Sequence, residues 1–251
     1  MGFDVAADAY DRFMGRYSTK LASTFTDFAG AAEGRVLDVG CGPGALTGEL
    51  ARRFGPDAVV AVDPSEPFVE ATRARHPGVD VRRASAESLP FADDEFDAAL
   101  AQLVVHFMAD PVAGLGEMAR VTRRSGVVAA CVWDHSGDRG PLSVYWQAAR
   151  DLDPEVTDES YLAGTGEGEL ADLFEKAGLR EVEETALSVA VEHPTFEEWW
   201  EPYTLGVGPA GGYAKSLDPE PQARLRERCR ELLPPEPFTL TALAWAARGR
   251  A

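Results

Sequence analysis

Short apolar runs alternate with amphipathic stretches through the first half of the chain. Residues 36–39, 58–62, 79–83, 96–101 and 127–133 each read as a strand, and the last of these is almost continuously apolar, as a central parallel strand must be. Residues 45–54, 66–75 and 111–121 carry helical periodicity between them, and the breaker pair Pro77-Gly78 closes the second. Upstream, residues 1–33 read as helical, with Tyr10, Phe13, Met14, Tyr17, Leu21 and Phe25 spaced three to four apart. Such βαβ alternation predicts an α/β, doubly wound, mostly parallel sheet with helices on both faces. The last hundred or so residues are less regular. Residues 142–152, 167–177, 196–203 and 221–233 read as helices, 182–191 and 238–247 as strands, and 206–212 as a flexible glycine loop. All five tryptophans fall after residue 130. There is no internal repeat and only a mild shift in composition, so residues 1–251 read as one domain.

Charge narrows the partners. The chain of 251 residues carries 42 Asp and Glu against 24 Lys and Arg, a formal charge of −18. Such a surface repels phosphate backbones and anionic headgroups, which argues against nucleic acid and membrane. No apolar run reaches the ~18 residues that span a bilayer. Residues 1–10 show no charged-then-apolar leader pattern, and Cys41, Cys131 and Cys229 form no C-x-x-C pair, so a reducing cytoplasm is expected. His76, His106, His135 and His193 are too dispersed to suggest a metal site.

The candidate chemistry begins where the first strand meets its turn, Val36-Leu37-Asp38-Val39-Gly40-Cys41-Gly42-Pro43-Gly44. Glycines there permit positive φ and let a ligand approach the backbone, and the following helix offers free N–H groups. Asp63 ends the next strand, where a carboxylate accepts hydrogen bonds from ribose hydroxyls. Gly40 to Ala45 also satisfies the dinucleotide pattern, so the turn alone leaves a nicotinamide cofactor and S-adenosylmethionine both open. Asp38 discriminates. A pyrophosphate would be repelled by a carboxylate so close, whereas an ammonium and a sulfonium would be attracted.

The run Asp38-Val39-Gly40-Cys41-Gly42-Pro43-Gly44 resembles the first motif of class I S-adenosylmethionine-dependent methyltransferases. The resemblance continues through Val59 to Ser65, Ala84 to Phe91, and Phe96 to Phe107, in matching order and spacing across residues 34–134. Its flavour is that of the small-molecule branch, which includes the quinone-biosynthesis enzymes. The resemblance implies a Rossmann-like, seven-stranded sheet whose last strand runs antiparallel. It divides the chain into a cofactor-binding core at 34–134, an N-terminal helical cover at 1–33, and substrate-side insertions with the last strands at 135–251. It implies that Gly40 and Gly42 line S-adenosylmethionine, that Asp63 with Pro64 meets the ribose, and that Ser85 and Ala86 face the adenine. Gln102 would lie near the methionine moiety with Asp38, and Tyr17 (with Tyr10) over the cofactor. Members of that family often have Asp where this chain has Ser85, so the adenine amino contact is either weaker or supplied by Glu87. Gln102-Leu103-Val104-Val105 lacks the Pro-Pro-aromatic motif of DNA-base methyltransferases, which favours a small-molecule acceptor.

His106 follows the fourth strand, at the carboxyl edge where ligands bind in open α/β sheets, and is the candidate general base. A packed structural histidine is the plainer alternative. Trp133, His135, Tyr145, Trp146, Trp199, Trp200 and Tyr203 are candidate walls of an apolar acceptor pocket, with core packing as the alternative. Cys41 reads as a small turn filler. The reading is methyl transfer to a small, hydrophobic or aromatic molecule; the alternatives are a non-catalytic S-adenosylmethionine-binding protein and a nicotinamide-dependent oxidoreductase. Against the last, no Tyr-x-x-x-Lys pair is recognisable.

Overall fold

The structure, a computed structural model, describes residues 7–31 and 34–251. The expectations for residues 1–6, 32 and 33 lie outside the described residues. Seven strands form one sheet in the order β3-β2-β1-β4-β5-β7-β6: β1 Val36–Val39, β2 Val59–Asp63, β3 Asp80–Arg83, β4 Phe96–Gln102, β5 Thr122–Trp133, β6 Arg180–His193 and β7 Phe238–Arg250. The first five pair in parallel, and β7 runs antiparallel to both β5 and β6. The strand order reverses at β1 and β4, and at that switch point the carboxyl ends of the strands leave a crevice.

Alternation along the strands builds two cores. Val36, Val59, Ala61, Val127, Ala129, Cys131 and Trp133 face one side, where α2 Arg16–Ala29, α3 Ala45–Phe54 and α6 Ser143–Leu152 pack. Leu37, Val39, Val60, Val62, Val128, Ala130 and Val132 face the other, against α5 Pro111–Val121 and α7 Glu169–Lys176. On α2 the buried residues Tyr17, Leu21 and Phe25 repeat at four-residue spacing, and the helix stops where Gly30 takes φ +63°. The remaining helices are α1 Ala7–Tyr10, α4 Glu66–Arg75, α8 Phe196–Trp200, α9 Gly208–Ser216 and α10 Pro219–Leu232.

Two elements differ from the sequence pattern. The N-terminal helix is interrupted by a π-helical turn over Asp11–Gly15. The expected glycine loop is largely helix α9. Its Ala210 and Ala214 are buried, and a Cβ on Gly211 would stand 2.9 Å from the Gly206 carbonyl carbon. Small residues there serve close packing against the preceding turn, and that packing overrides glycine's weak helix propensity. Among the described residues no helix is long and apolar enough to cross a membrane.

Candidate active site

The site starts from β1, a fully buried strand between β2 and β4. Its third residue, Asp38, is 1% exposed. One carboxylate oxygen accepts a bond from Thr47 Oγ1 at 2.6 Å, and the other, Oδ1, is buried with no partner among the described residues. Burial pushes the carboxyl up to about 7, the Thr47 bond opposes this, and the neighbouring charge of Asp63 adds to it. A buried acceptor left unpaired costs about 1–3 kcal/mol, so a donor brought by a ligand would be favourable here.

The glycine turn follows. Gly40 and Cys41 both donate their N–H to the Val62 carbonyl, at 2.8 and 2.9 Å, which draws the turn against β2. Gly40 and Gly42 hold φ at +72° and +52° for different reasons. A Cβ on Gly40 would lie 2.4 Å from a Val104 methyl, so this glycine serves the packing of the turn after β4. A Cβ on Gly42 would meet nothing within 4 Å and would project into open space. Asp63, at the end of β2, accepts from Gly42 N at 2.9 Å and from Ser65 N at 2.8 Å. Burial raises its carboxyl, and these two backbone bonds pull it back. They also fix the orientation of the carboxylate.

A cavity of about 470 Å³ opens over this turn. Tyr10, Asp38, Gly40, Gly42, Asp63, Pro64, Ser85, Ala86, Glu87 and Gln102, ten of the eleven residues the sequence assigned to the cofactor, line it. Gln102 ends β4; its Nε2 donates to the Ser18 carbonyl at 3.0 Å, and its Oε1 is buried without a partner among the described residues. At the opposite end, Ser85 Oγ bonds Glu87, whose other oxygen accepts from Ala109 N at 2.8 Å. Burial raises the Glu87 carboxyl, but these bonds outweigh it and hold the group below its usual range.

Tyr17 is the eleventh, and it lies off the cavity. Its hydroxyl is 2.9 Å from His193 Nε2 and its ring meets Trp133 edge-on, so it belongs to the core. The cavity is walled there by Tyr10, about two helical turns earlier, and by Ser18. The sequence pattern missed Ser18, along with Phe68, Phe107 and Met108, because side chains on a wall carry no local signature.

His106 also lies off the cavity, on a short 3₁₀ turn over Val105–Phe107, and is 6% exposed. Burial, with the charge of His135, drives its imidazole well below its ordinary value, so it stays neutral. A neutral imidazole is the form a general base needs, but this ring is buried and does not border the cavity. The aromatic residues of the second half are core as well. Tyr145 donates to the Ala210 carbonyl at 2.9 Å and stacks on Tyr203 at 4.5 Å, while Trp146 Nε1 donates to the buried Glu159 at 2.7 Å. Among the described residues no group of three His, Cys, Asp or Glu could hold a metal ion.

A doubly wound sheet with a carboxylate at each of the first two strand ends and a glycine turn between them defines a Rossmann-like domain built for an adenosyl ligand. Residues 37–130 match the family model described as a methyltransferase domain, and this segment belongs to that family. Its cofactor is S-adenosylmethionine. The chain is 35% identical over 139 residues to an uncharacterized methyltransferase of Mycobacterium tuberculosis, covering 55% of this chain and 54% of that one. It is 34% identical over 137 residues to the demethylmenaquinone methyltransferase of Clavibacter sepedonicus, covering 51% and 55%. It spans about half the length of the curated relatives it matches. Among solved structures, the fold is similar to geranyl diphosphate C-methyltransferase of Streptomyces coelicolor, with TM-score 0.55 and 15% identity over 93% of this chain and 77% of that one.

Proposed function

We propose that this chain transfers the methyl group of S-adenosylmethionine to a small, hydrophobic or aromatic molecule. The observation that carries the proposal is the pair of orphaned acceptors, Asp38 Oδ1 and Gln102 Oε1, both buried and both on residues that line the cavity. An ammonium group supplies the donors they lack. A nicotinamide dinucleotide would instead bring its pyrophosphate towards the Asp38 carboxylate.

The residues fit the cofactor along its length. Asp63, its carboxylate held by Gly42 and Ser65, takes the ribose hydroxyls, and Pro64 bounds that end. Gly42 leaves room for the cofactor to approach the backbone, in a turn that Gly40 packs against Val104. Ser85, Ala86 and Glu87 border the adenine, with the Ser85–Glu87 pair as its polar contact. Asp38 and Gln102 hold the methionine end. Bound there, the cofactor supplies a methyl group already activated by the positive sulfonium. The chain's own task is then to align the acceptor and keep water out. Leu103, Val104, Phe107 and Met108 give the cavity apolar walls, which support an apolar acceptor. No proton transfer is assigned to His106.

In this proposal residues 34–134 are the cofactor-binding core, 1–33 the cover, and 135–251 the acceptor side, within one cytoplasmic methyltransferase domain that needs no nucleic acid. Incubating purified protein with methyl-labelled S-adenosylmethionine and a panel of phenols, quinols and amines tests it. Transfer of label to at least one small molecule is the expected result. Tight cofactor binding with no transfer to any small molecule in the panel or in a small-molecule extract would favour a non-catalytic binding protein.

A further inference from the structure

The segment that walls the cavity from the N-terminal side is not a uniform α-helix. Tyr10 and Ser18 stand eight residues apart, and on an unbroken α-helix eight steps leave two side chains about 80° out of phase. A π-helical turn accommodates about one extra residue and so sets the phase back by about 100°. The π-turn over Asp11–Gly15 lies between these two residues, and both line the cavity. The turn thus lets one helical segment meet the cavity at two points.

Arg75, at the end of α4, holds that segment down. Its Nη1 donates to the Pro43 carbonyl of the glycine turn at 3.0 Å. The same guanidinium pairs with Asp11 of the π-turn at 2.5 Å and with Asp8 of α1 at 3.2 Å. At the other end of α4, the Phe68 ring meets Tyr10 edge-on, with centroids 5.5 Å apart. On the opposite flank Arg12 and Arg16 pair with Glu201 and Glu198, both at 2.7 Å. Arg75 is therefore the one cation on the α4 flank of this segment, among the described residues, that joins the glycine turn to the cover.

We propose that Arg75 is a positioning residue of the cofactor site: it clasps the α1–π-turn segment to the glycine turn so that Tyr10 closes over the cavity, and the clasp opens when cofactor enters or leaves. The proposal rests on the cavity's taking S-adenosylmethionine. Arg75 and Asp11 are each 35% exposed, so the clasp is weak enough to open and is screened by salt.

The test uses S-adenosylhomocysteine as the probe, with affinity from calorimetry and the off-rate from stopped-flow fluorescence, for wild type, Arg75→Gln, Asp11→Asn and the double variant. Arg75→Gln should weaken affinity about three- to tenfold, mostly through a faster off-rate. Asp11→Asn should lose less, and the double variant should lose less than the product of the two. Raising salt from 0.05 to about 0.5 M should speed release from wild type and hardly change it in Arg75→Gln. Arg75→Lys should restore part of the affinity. If the clasp only stabilises the fold, the coupling between the two positions appears in the melting temperature of the free protein and not in affinity, and the proposal falls. It falls equally if Arg75→Gln binds and releases like wild type. If wild type itself does not bind the probe, the cofactor assignment fails instead.

Discussion

Titrating the protein from pH 6 to pH 8 changes the charge on Asp38, whose buried carboxyl sits at about 7. In the free protein the group is therefore about half protonated at neutral pH. The cofactor's ammonium prefers the carboxylate, so binding at lower pH must first displace a proton. With a free-state value near 7 and a bound-state value well below 6, the affinity ratio between pH 8 and pH 6 is (1 + 10)/(1 + 0.1), about tenfold or 1.4 kcal/mol. Calorimetry with S-adenosylhomocysteine at pH 6, 7 and 8, in two buffers of different ionisation enthalpy, reads both quantities. About one proton should be released at pH 6, about half at pH 7, and about a tenth at pH 8. Asp38→Asn should flatten the profile and bind more weakly at pH 8. The free protein should show the complementary trend. Burial raises the folded value above the ordinary 3.8, so this group's contribution to stability is greatest in acid and declines as pH rises from about 4 to about 7. An affinity flat across this range with no proton exchange, or an Asp38→Asn protein that keeps the wild-type profile, would refute the reasoning.

Three further predictions concern neighbouring residues. Asp63→Ala should weaken S-adenosylhomocysteine binding by about 1.5–3 kcal/mol, the size of a lost charged hydrogen bond; unchanged affinity in a folded protein would remove Asp63 from the ribose site. Gly42→Val and Gly40→Ala should separate binding from stability. Gly42→Val projects into open space and should abolish binding while the fold pays about 1–2 kcal/mol for the left-handed backbone. Gly40→Ala runs into Val104 and should lower the melting temperature more, a loss partly relieved by Val104→Ala. Trp146→Ala removes a buried ring and the donor to Glu159 and should destabilise the fold by about 3–5 kcal/mol. Its residual folded fraction should bind S-adenosylhomocysteine normally; a selective loss of methyl transfer in a stable Trp146→Ala protein would return this residue to the acceptor site.

The cofactor side of the site was legible because its signals are local. Glycines needing positive φ, a carboxylate at each strand end and alternating βαβ runs are all written within a few residues of the atoms they position. Asp38 was legible as a carboxylate beside the turn, but its orphaned oxygen was not, since that depends on Thr47 nine residues on. Tyr17 and Tyr10 share one amphipathic stripe. Choosing between them required knowing that a π-turn resets the helix between Asp11 and Gly15, and nothing in the residue types announces it. His106 and the tryptophans were ambiguous in the sequence for a common reason. Aromatic side chains near the carboxyl edge can wall a pocket or fill the space behind it, and burial against Tyr203, His135 or Glu159 is a property of the whole fold. The turn around Gly211 became helix because packing against Gly206 favours small residues, a contact made by the folded chain.

The most direct test of the account is a parallel calorimetric titration of the wild-type protein with S-adenosylhomocysteine and with NAD. One saturable site for S-adenosylhomocysteine and no heat from NAD is the result the orphaned acceptors at Asp38 and Gln102 require. Binding of NAD with none of S-adenosylhomocysteine would contradict it.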